Sequence, residues 1–205
     1  MSTEATLTTE TKSSRLNGKD LINIGLFTVL YFVLVMLGSF VGFVPYLIPA
    51  LAVVCPLLGG IPYMLFLTRV KKFGMVTIMA TLIGFALFLG GMGILALPAG
   101  MLFGFIADLY MKTGDYKSVR KGIIGYGIFS MTIIGNYLPI VLNRAAYTEN
   151  LIAGGYGAEY ASTLMMVMPD WILPVLLVVC FVSGIAGGFI GKLALKKHFE
   201  KAGMA

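Results

Sequence analysis

Six apolar stretches divide this chain, at about 21–40, 45–67, 74–92, 94–111, 122–142 and 169–194. Each runs about 18–26 residues, and roughly 20 carry a helix across a ~30 Å hydrocarbon core. The basic residues fall between them in four clusters: Lys12, Arg15 and Lys19; Arg69, Lys71 and Lys72; Lys112, Lys117, Arg120 and Lys121; Lys192, Lys196, Lys197 and Lys201. Threading six spans puts all four clusters on one side of the bilayer, and of fifteen Lys and Arg residues only Arg144 is left on the other. Short loops rich in Lys and Arg stay cytoplasmic. The expected fold is therefore an all-α membrane protein of six transmembrane helices, with N and C termini cytoplasmic.

A chain of 205 residues, 59% apolar and 12% charged, leaves no room for a separate catalytic domain and excludes an ordinary soluble protein. The expected organisation is a disordered polar tail over residues 1–18, a six-helix transmembrane domain over 19–197 and a cytoplasmic tail over 198–205. The first eighteen residues lack the short apolar stretch and small-residue cleavage site of a signal peptide, so the first span is expected to be retained. The net charge of +6 sits at membrane edges, where topology and anionic headgroups account for it without nucleic acid. Cys55 and Cys180 lie within apolar spans and lack metal-ligand spacing, so they read as small buried hydrophobes.

The second span carries Pro45, Pro49, Pro56 and Pro62 with Gly59-Gly60, and is expected to be kinked or broken. Gly90-Gly91-Met92-Gly93 supplies a tight turn between spans three and four, because glycine takes the positive φ such a turn needs. From Asn143 to Met168 runs the longest loop on the outer face, bearing Tyr147, Tyr156 and Tyr160. Its aromatic and apolar content points to a folded lid. No internal repeat of the kind found in many secondary transporters is visible.

Bond-making chemistry is poorly supplied. The single histidine, His198, lies in the C-terminal basic tail, which removes a His-based general base, a zinc site and a Ser-His dyad from the membrane region. No phosphate-binding glycine loop followed by Lys occurs, so the chain cannot hydrolyse ATP. No cofactor or metal is expected. Asp108 stands one turn before Lys112, spacing that suits an interfacial ion pair, with contact to a partner subunit as the other reading. Asp170 precedes span six, where a carboxylate favours the helix N-terminus.

A polar and aromatic set gathers in the outer half. Asn136 lies about fourteen residues into span five, roughly 20 Å from its inner end at ~1.5 Å per residue. Tyr137, Asn143 and Arg144 follow on the same helix. Tyr46, Met92 and Trp171 come from the first and second outer turns and the start of span six. A side-chain amide in lipid needs a partner, so Asn136 forms either an interhelical hydrogen bond or part of a cavity. The convergence of three outer segments makes these seven residues the candidate substrate contacts. Arg144 would suit a carboxylate or phosphate, or pair with Glu149 or Glu159. Ala80 and Gly84, Gly100 and Gly104, and Gly184, Gly187, Gly188 and Gly191 give small-residue spacing for close helix approach, within this chain or onto another membrane subunit.

The stretch from Gly18 to Leu34, GKDLINIGLFTVLYFVL, together with this layout, resembles the S components of energy-coupling factor (ECF) transporters, and in particular their Trep_Strep or MptD-like group. The similarity runs from about Lys19 to Lys197. It implies a membrane-embedded binding subunit that captures a micronutrient from outside and delivers it with a coupling transmembrane subunit and two ATPases, which use the ATP. Many S components carry an Ala-xxx-Ala surface on span one for the coupling subunit. Here the corresponding positions include Gly25 and Thr28, with Ala80 and Gly84 on span three as a supplement. The rival readings are a self-sufficient carrier and a membrane scaffold without a small ligand.

Overall fold

The computed structural model describes residues 15–201, at 197–199 the backbone alone. Most of the polar tail expected over residues 1–18, and residues 202–205 of the expected C-terminal tail, lie outside the described residues. Within the described part of the N-terminal segment, residues 15–17 precede helix α1 (Gly18–Ser39). Asn17 caps α1 reciprocally: its Oδ1 accepts from Asp20 N at 2.9 Å, and Asp20 Oδ2 accepts from Asn17 N at 2.9 Å.

After α1 the chain tightens into two 3-10 segments, Phe40–Phe43 and Pro45–Ala50, before α2 (Leu51–Leu67). This is the break expected in the second span. Pro45 starts the second segment, while Pro56 and Pro62 lie inside α2. Helices α3 (Met75–Leu89) and α4 (Ala96–Lys112) form a hairpin. Gly91 at φ 84° and Gly93 at φ 92° turn its tip, a conformation that excludes most side chains. Helix α5 (Val119–Ser130) passes through a 3-10 turn at Met131–Ile133 into α6 (Ile134–Leu142). Two short helices follow, α7 (Arg144–Ala153) and α8 (Ala158–Val167), then the long α9 (Ile172–Ala194) and α10 (Lys196–Lys201).

Among the described residues, four segments are long and apolar enough to cross a bilayer: Gly18–Phe43, Pro45–Leu67, Val119–Leu142 and Ile172–Ala194. Helix α3 is apolar but only 15 residues long, and α4 has 17. Large apolar side chains cover the outside of the bundle, including Leu26, Val29, Val33 and Leu37 on α1 and Val175, Val178, Val182 and Phe189 on α9. That coat suits lipid rather than water.

Glycine sets how closely the helices meet. Gly60 of α2 and Gly187 of α9 are in backbone contact, and a Cβ on Gly191 would fall 2.5 Å from the Gly60 carbonyl oxygen. Across the α3–α4 hairpin, Cβ atoms on Gly84 and Gly100 would sit 2.6 Å from the Ala96 and Ala80 carbonyl oxygens. The small-residue stripes on α3, α4 and α9 are thus occupied by packing within the chain. An aromatic core of Tyr63, Phe66, Tyr126 and Phe129 fills the interior, and the Tyr126 hydroxyl donates to the Pro56 carbonyl at 2.7 Å.

The basic clusters meet at one end of the bundle. Lys72 Nζ lies 2.8 Å from Asp20 Oδ2 and also donates to the Arg15 carbonyl at 2.8 Å, joining the start of α1 to the α2–α3 loop. Beside them Asp108 departs from its expected pairing with Lys112. It is fully buried: Oδ2 accepts from Gly74 N (2.9 Å), Thr77 N (3.0 Å) and Thr77 Oγ1 (2.9 Å), and Oδ1 accepts from Tyr116 at 2.6 Å. Gly74, in the left-handed region at φ 98°, has no side chain to cap α3, so the carboxylate of α4 performs that task. Tyr116, itself left-handed at φ 57°, turns its hydroxyl back to the same carboxylate. Lys112 instead lies over the Phe73 ring, 5.0 Å from its centroid.

Candidate functional site: an apolar chamber at the end opposite the basic clusters

Opposite the basic end, the segments that failed to continue as straight helices enclose a chamber of about 290 Å³. The end of α1 contributes Tyr31, Val35, Met36 and Ser39, and the 3-10 segments and start of α2 contribute Phe40, Phe43, Ile48, Leu51 and Cys55. Met92 reaches it from the α3–α4 turn. Thr132, Asn136, Tyr137 and Ile140 come from the α5–α6 break, and Tyr147, Leu151, Tyr156, Tyr160 and Leu164 from α7, α8 and the turn joining them. Small-molecule sites commonly measure ~300–1,000 Å³ and are mostly apolar with few polar groups, so this chamber lies at the compact end of the range.

Helices α7 and α8 form the lid anticipated for residues 143–168. Gly155 at φ 87° and Gly157 at φ 83° turn one helix into the next, and the Tyr156 and Tyr160 rings lie 5.0 Å apart. Two tyrosines pin the 3-10 stretch, Tyr160 from this roof and Tyr137 from α6. Tyr160 donates to the Gly42 carbonyl at 2.7 Å, and Tyr137 to the Ile48 carbonyl at 3.0 Å. Burial pushes the Tyr147 and Tyr160 phenols above their ordinary pKa, which keeps both as neutral hydroxyls.

Asn136 is one polar group at the chamber that protein contacts leave incomplete. Its Oδ1 is buried and accepts no hydrogen bond, the single such side-chain atom among the described residues. Buried polar atoms are nearly always partnered, and this oxygen, with almost no accessible surface, lies behind the chamber wall rather than facing the cavity. Among the described residues, no Asp, Glu, Lys, Arg or His lines the chamber. Cys55 and Cys180 are both free and buried, and no metal-ligand cluster occurs among the described residues.

Of the seven residues expected to contact substrate, Met92, Asn136 and Tyr137 line the chamber, and Tyr46, Asn143, Arg144 and Trp171 do not. Tyr46 and Trp171 project outward, 64% and 68% exposed. Asn143 caps α7, its side chain accepting from Ala146 N at 3.4 Å. Arg144 is spent on structure: it donates to the Met165 and Met168 carbonyls at 2.5 Å each, and to Asp170 at 3.1 Å. It thereby holds the C-terminal end of α8, where a cation meets unsatisfied carbonyls and the helix dipole. Asp170 serves Arg144 and is not the cap of α9, whose N-cap is Trp171. The lid tyrosines and Tyr31 were not singled out as contacts by sequence; the aromatic content of the long loop was the available signal.

Of the expected docking positions, Gly25 is half-buried with open space where a Cβ would project. Thr28 is buried and donates to the Ile24 carbonyl, while Ala80 and Gly84 pack against α4 inside the chain.

An apolar-coated helical bundle enclosing a lidded chamber defines an integral membrane protein. The chain belongs to the Trep_Strep family, described as hypothetical bacterial integral membrane proteins, whose model matches residues 18–201. No curated protein and no solved structure matches it.

Proposed function

We propose that this chain is the substrate-binding membrane subunit of an ECF-type importer. The observation that carries the reading is the lidded apolar chamber at the end away from the basic clusters. In this reading α3 and α4 complete six spans as a short hairpin of roughly 22 and 25 Å at ~1.5 Å per residue. Both termini are cytoplasmic, in keeping with the retention of basic loops, and the chamber opens outward. The chain takes up a micronutrient of the size of a vitamin, cofactor precursor or small chelate. It hands this cargo inward with a coupling subunit and two ATPases, and catalyses no bond-making step itself.

Docking falls to the lipid-coated side of α1 around Gly25, since Thr28, Ala80 and Gly84 are already packed within the chain. The test is uptake by cells carrying this chain with and without the coupling subunit and its ATPases. Accumulation that needs the ATPases supports the proposal. Equal accumulation in their absence would instead identify a self-sufficient carrier.

A further inference from the structure

We infer that the chamber takes an uncharged ring compound bearing a hydrogen-bond acceptor, such as a lactam or amide-bearing heterocycle, and holds its polar atoms between the α5–α6 break and the lid. The inference rests on reading the chamber as the ligand site of the proposed binding subunit.

Charge is the first constraint. Among the described residues the lining contains no Asp, Glu, Lys, Arg or His, so a carboxylate, phosphate or ammonium would lose its water and meet no counter-ion. Arg144 is committed to the Met165 and Met168 carbonyls and Asp170.

The second constraint is what the protein leaves unpartnered. Tyr137, Tyr160 and Ser39 are spent, their hydroxyls donating to the carbonyls of Ile48, Gly42 and Met36. Four other polar groups on lining residues have no protein partner: the Asn136 amide Nδ2 and the hydroxyls of Thr132, Tyr147 and Tyr156. Unlike the enclosed Asn136 Oδ1, Nδ2 and the Thr132 and Tyr147 hydroxyls retain accessible surface. Nδ2 can only donate and therefore calls for an acceptor, whereas a hydroxyl turns to donate or accept. A hydrocarbon would strip these groups of water and return nothing.

Position is the third. Thr132, in the 3-10 turn, and Asn136, on α6, lie about one helical turn apart. Tyr147 belongs to α7, and Tyr156 to the turn before α8. The open polar groups thus come from two segments, while Val35, Phe40, Phe43 and Leu51 supply apolar surface for the faces of a ring. About 290 Å³ suits one or two rings.

Two-ring probes of matched size test this by equilibrium binding to the purified full-length chain in mild detergent. 2-Quinolone carries a carbonyl and an N–H, 1-methyl-2-quinolone the carbonyl alone, and naphthalene neither; 2-naphthoate and protonated 2-naphthylmethylamine carry the two charges. Each probe is compared between parent and variant, so its partition into detergent cancels. Asn136→Leu should weaken both quinolones about threefold to tenfold, the worth of one hydrogen bond, and leave naphthalene within about twofold. Thr132→Val and Tyr147→Phe, which remove only a hydroxyl from the packing, should each weaken 2-quinolone and spare naphthalene in the same way. Both charged probes should bind the parent more weakly than 2-quinolone. The inference is overturned if no variant separates 2-quinolone from naphthalene, if either charged probe binds more tightly than 2-quinolone, or if 2-quinolone shows no saturable binding below about 1 mM. Equilibrium binding needs no ATPase, so these outcomes are independent of the uptake experiment. ATPase-dependent uptake without quinolone binding would overturn this inference alone, and quinolone binding with ATPase-independent uptake would overturn the importer reading alone.

Discussion

Replacing Arg144 by Met should loosen α8 specifically, by an amount that follows from its contacts. The guanidinium donates to two carbonyls at the end of α8, Met165 and Met168, and pairs with Asp170. A charge-assisted hydrogen bond contributes about 1.5–3 kcal/mol when well buried. The Arg144 side chain is 33% exposed, so the two carbonyl bonds together are discounted to about 2–3 kcal/mol. At about 1.4 kcal/mol per tenfold, the local opening equilibrium of α8 should rise roughly 30- to 150-fold. Asp170 is 79% exposed and should contribute below about 0.5 kcal/mol, so Asp170→Asn should change opening by about twofold at most. Hydrogen–deuterium exchange of peptides spanning 158–167 in detergent measures both. Unchanged protection in Arg144→Met, or equal loosening in Asp170→Asn, would refute the carbonyl staple.

Substitutions at Asp108, Gly100 and Gly25 probe the frame of the bundle. Asp108→Ala strands the amides of Gly74 and Thr77 and the hydroxyls of Thr77 and Tyr116, at a cost of about 4 kcal/mol. Thermal unfolding should fall by roughly 8–16 °C at about 2–4 °C per kcal/mol, and by much less in Asp108→Asn, which keeps an acceptor; an Ala variant within 3 °C of the parent contradicts this. Gly100→Leu forces a Cβ to within 2.6 Å of the Ala80 carbonyl and should lower stability by about 3 kcal/mol or more, whereas Gly25→Leu meets open space and should stay within about 0.5 kcal/mol; similar melting curves for the two would count against the packing described.

These residues also mark where sequence reading succeeds and where it stops. Helix positions were legible because lipid demands long apolar segments and the basic residues fall only between them. The break after α1 was legible because Pro45 and Pro49 cannot sustain a regular helix, and the α3–α4 turn because Gly91 and Gly93 adopt positive φ. The lengths of α3 and α4 were overestimated, since the glycine-rich turn consumes residues that hydropathy alone assigns to spans.

Long-range polar partners were not legible. Asp108 was read against its neighbour four residues on, but its partners lie 31–34 residues back and on the loop that follows. Arg144 looked free for a ligand because the carbonyls that claim it, 21 and 24 residues away, belong to backbone and leave no mark in composition. Asn136 was legible as a polar group that needs either a partner or a cavity, and it lies on the chamber lining, but that no protein group meets its oxygen leaves no mark in the sequence.

The central claim is that the isolated chain holds a small molecule in this chamber. Native mass spectrometry of the chain extracted in mild detergent from cells grown in rich medium tests it most directly. The account predicts a one-to-one small-molecule adduct on the parent chain. Leu51→Trp, which fills the chamber from its α2 wall, should lose the adduct while remaining folded. A parent chain free of adduct, or an adduct retained in full by Leu51→Trp, would contradict it.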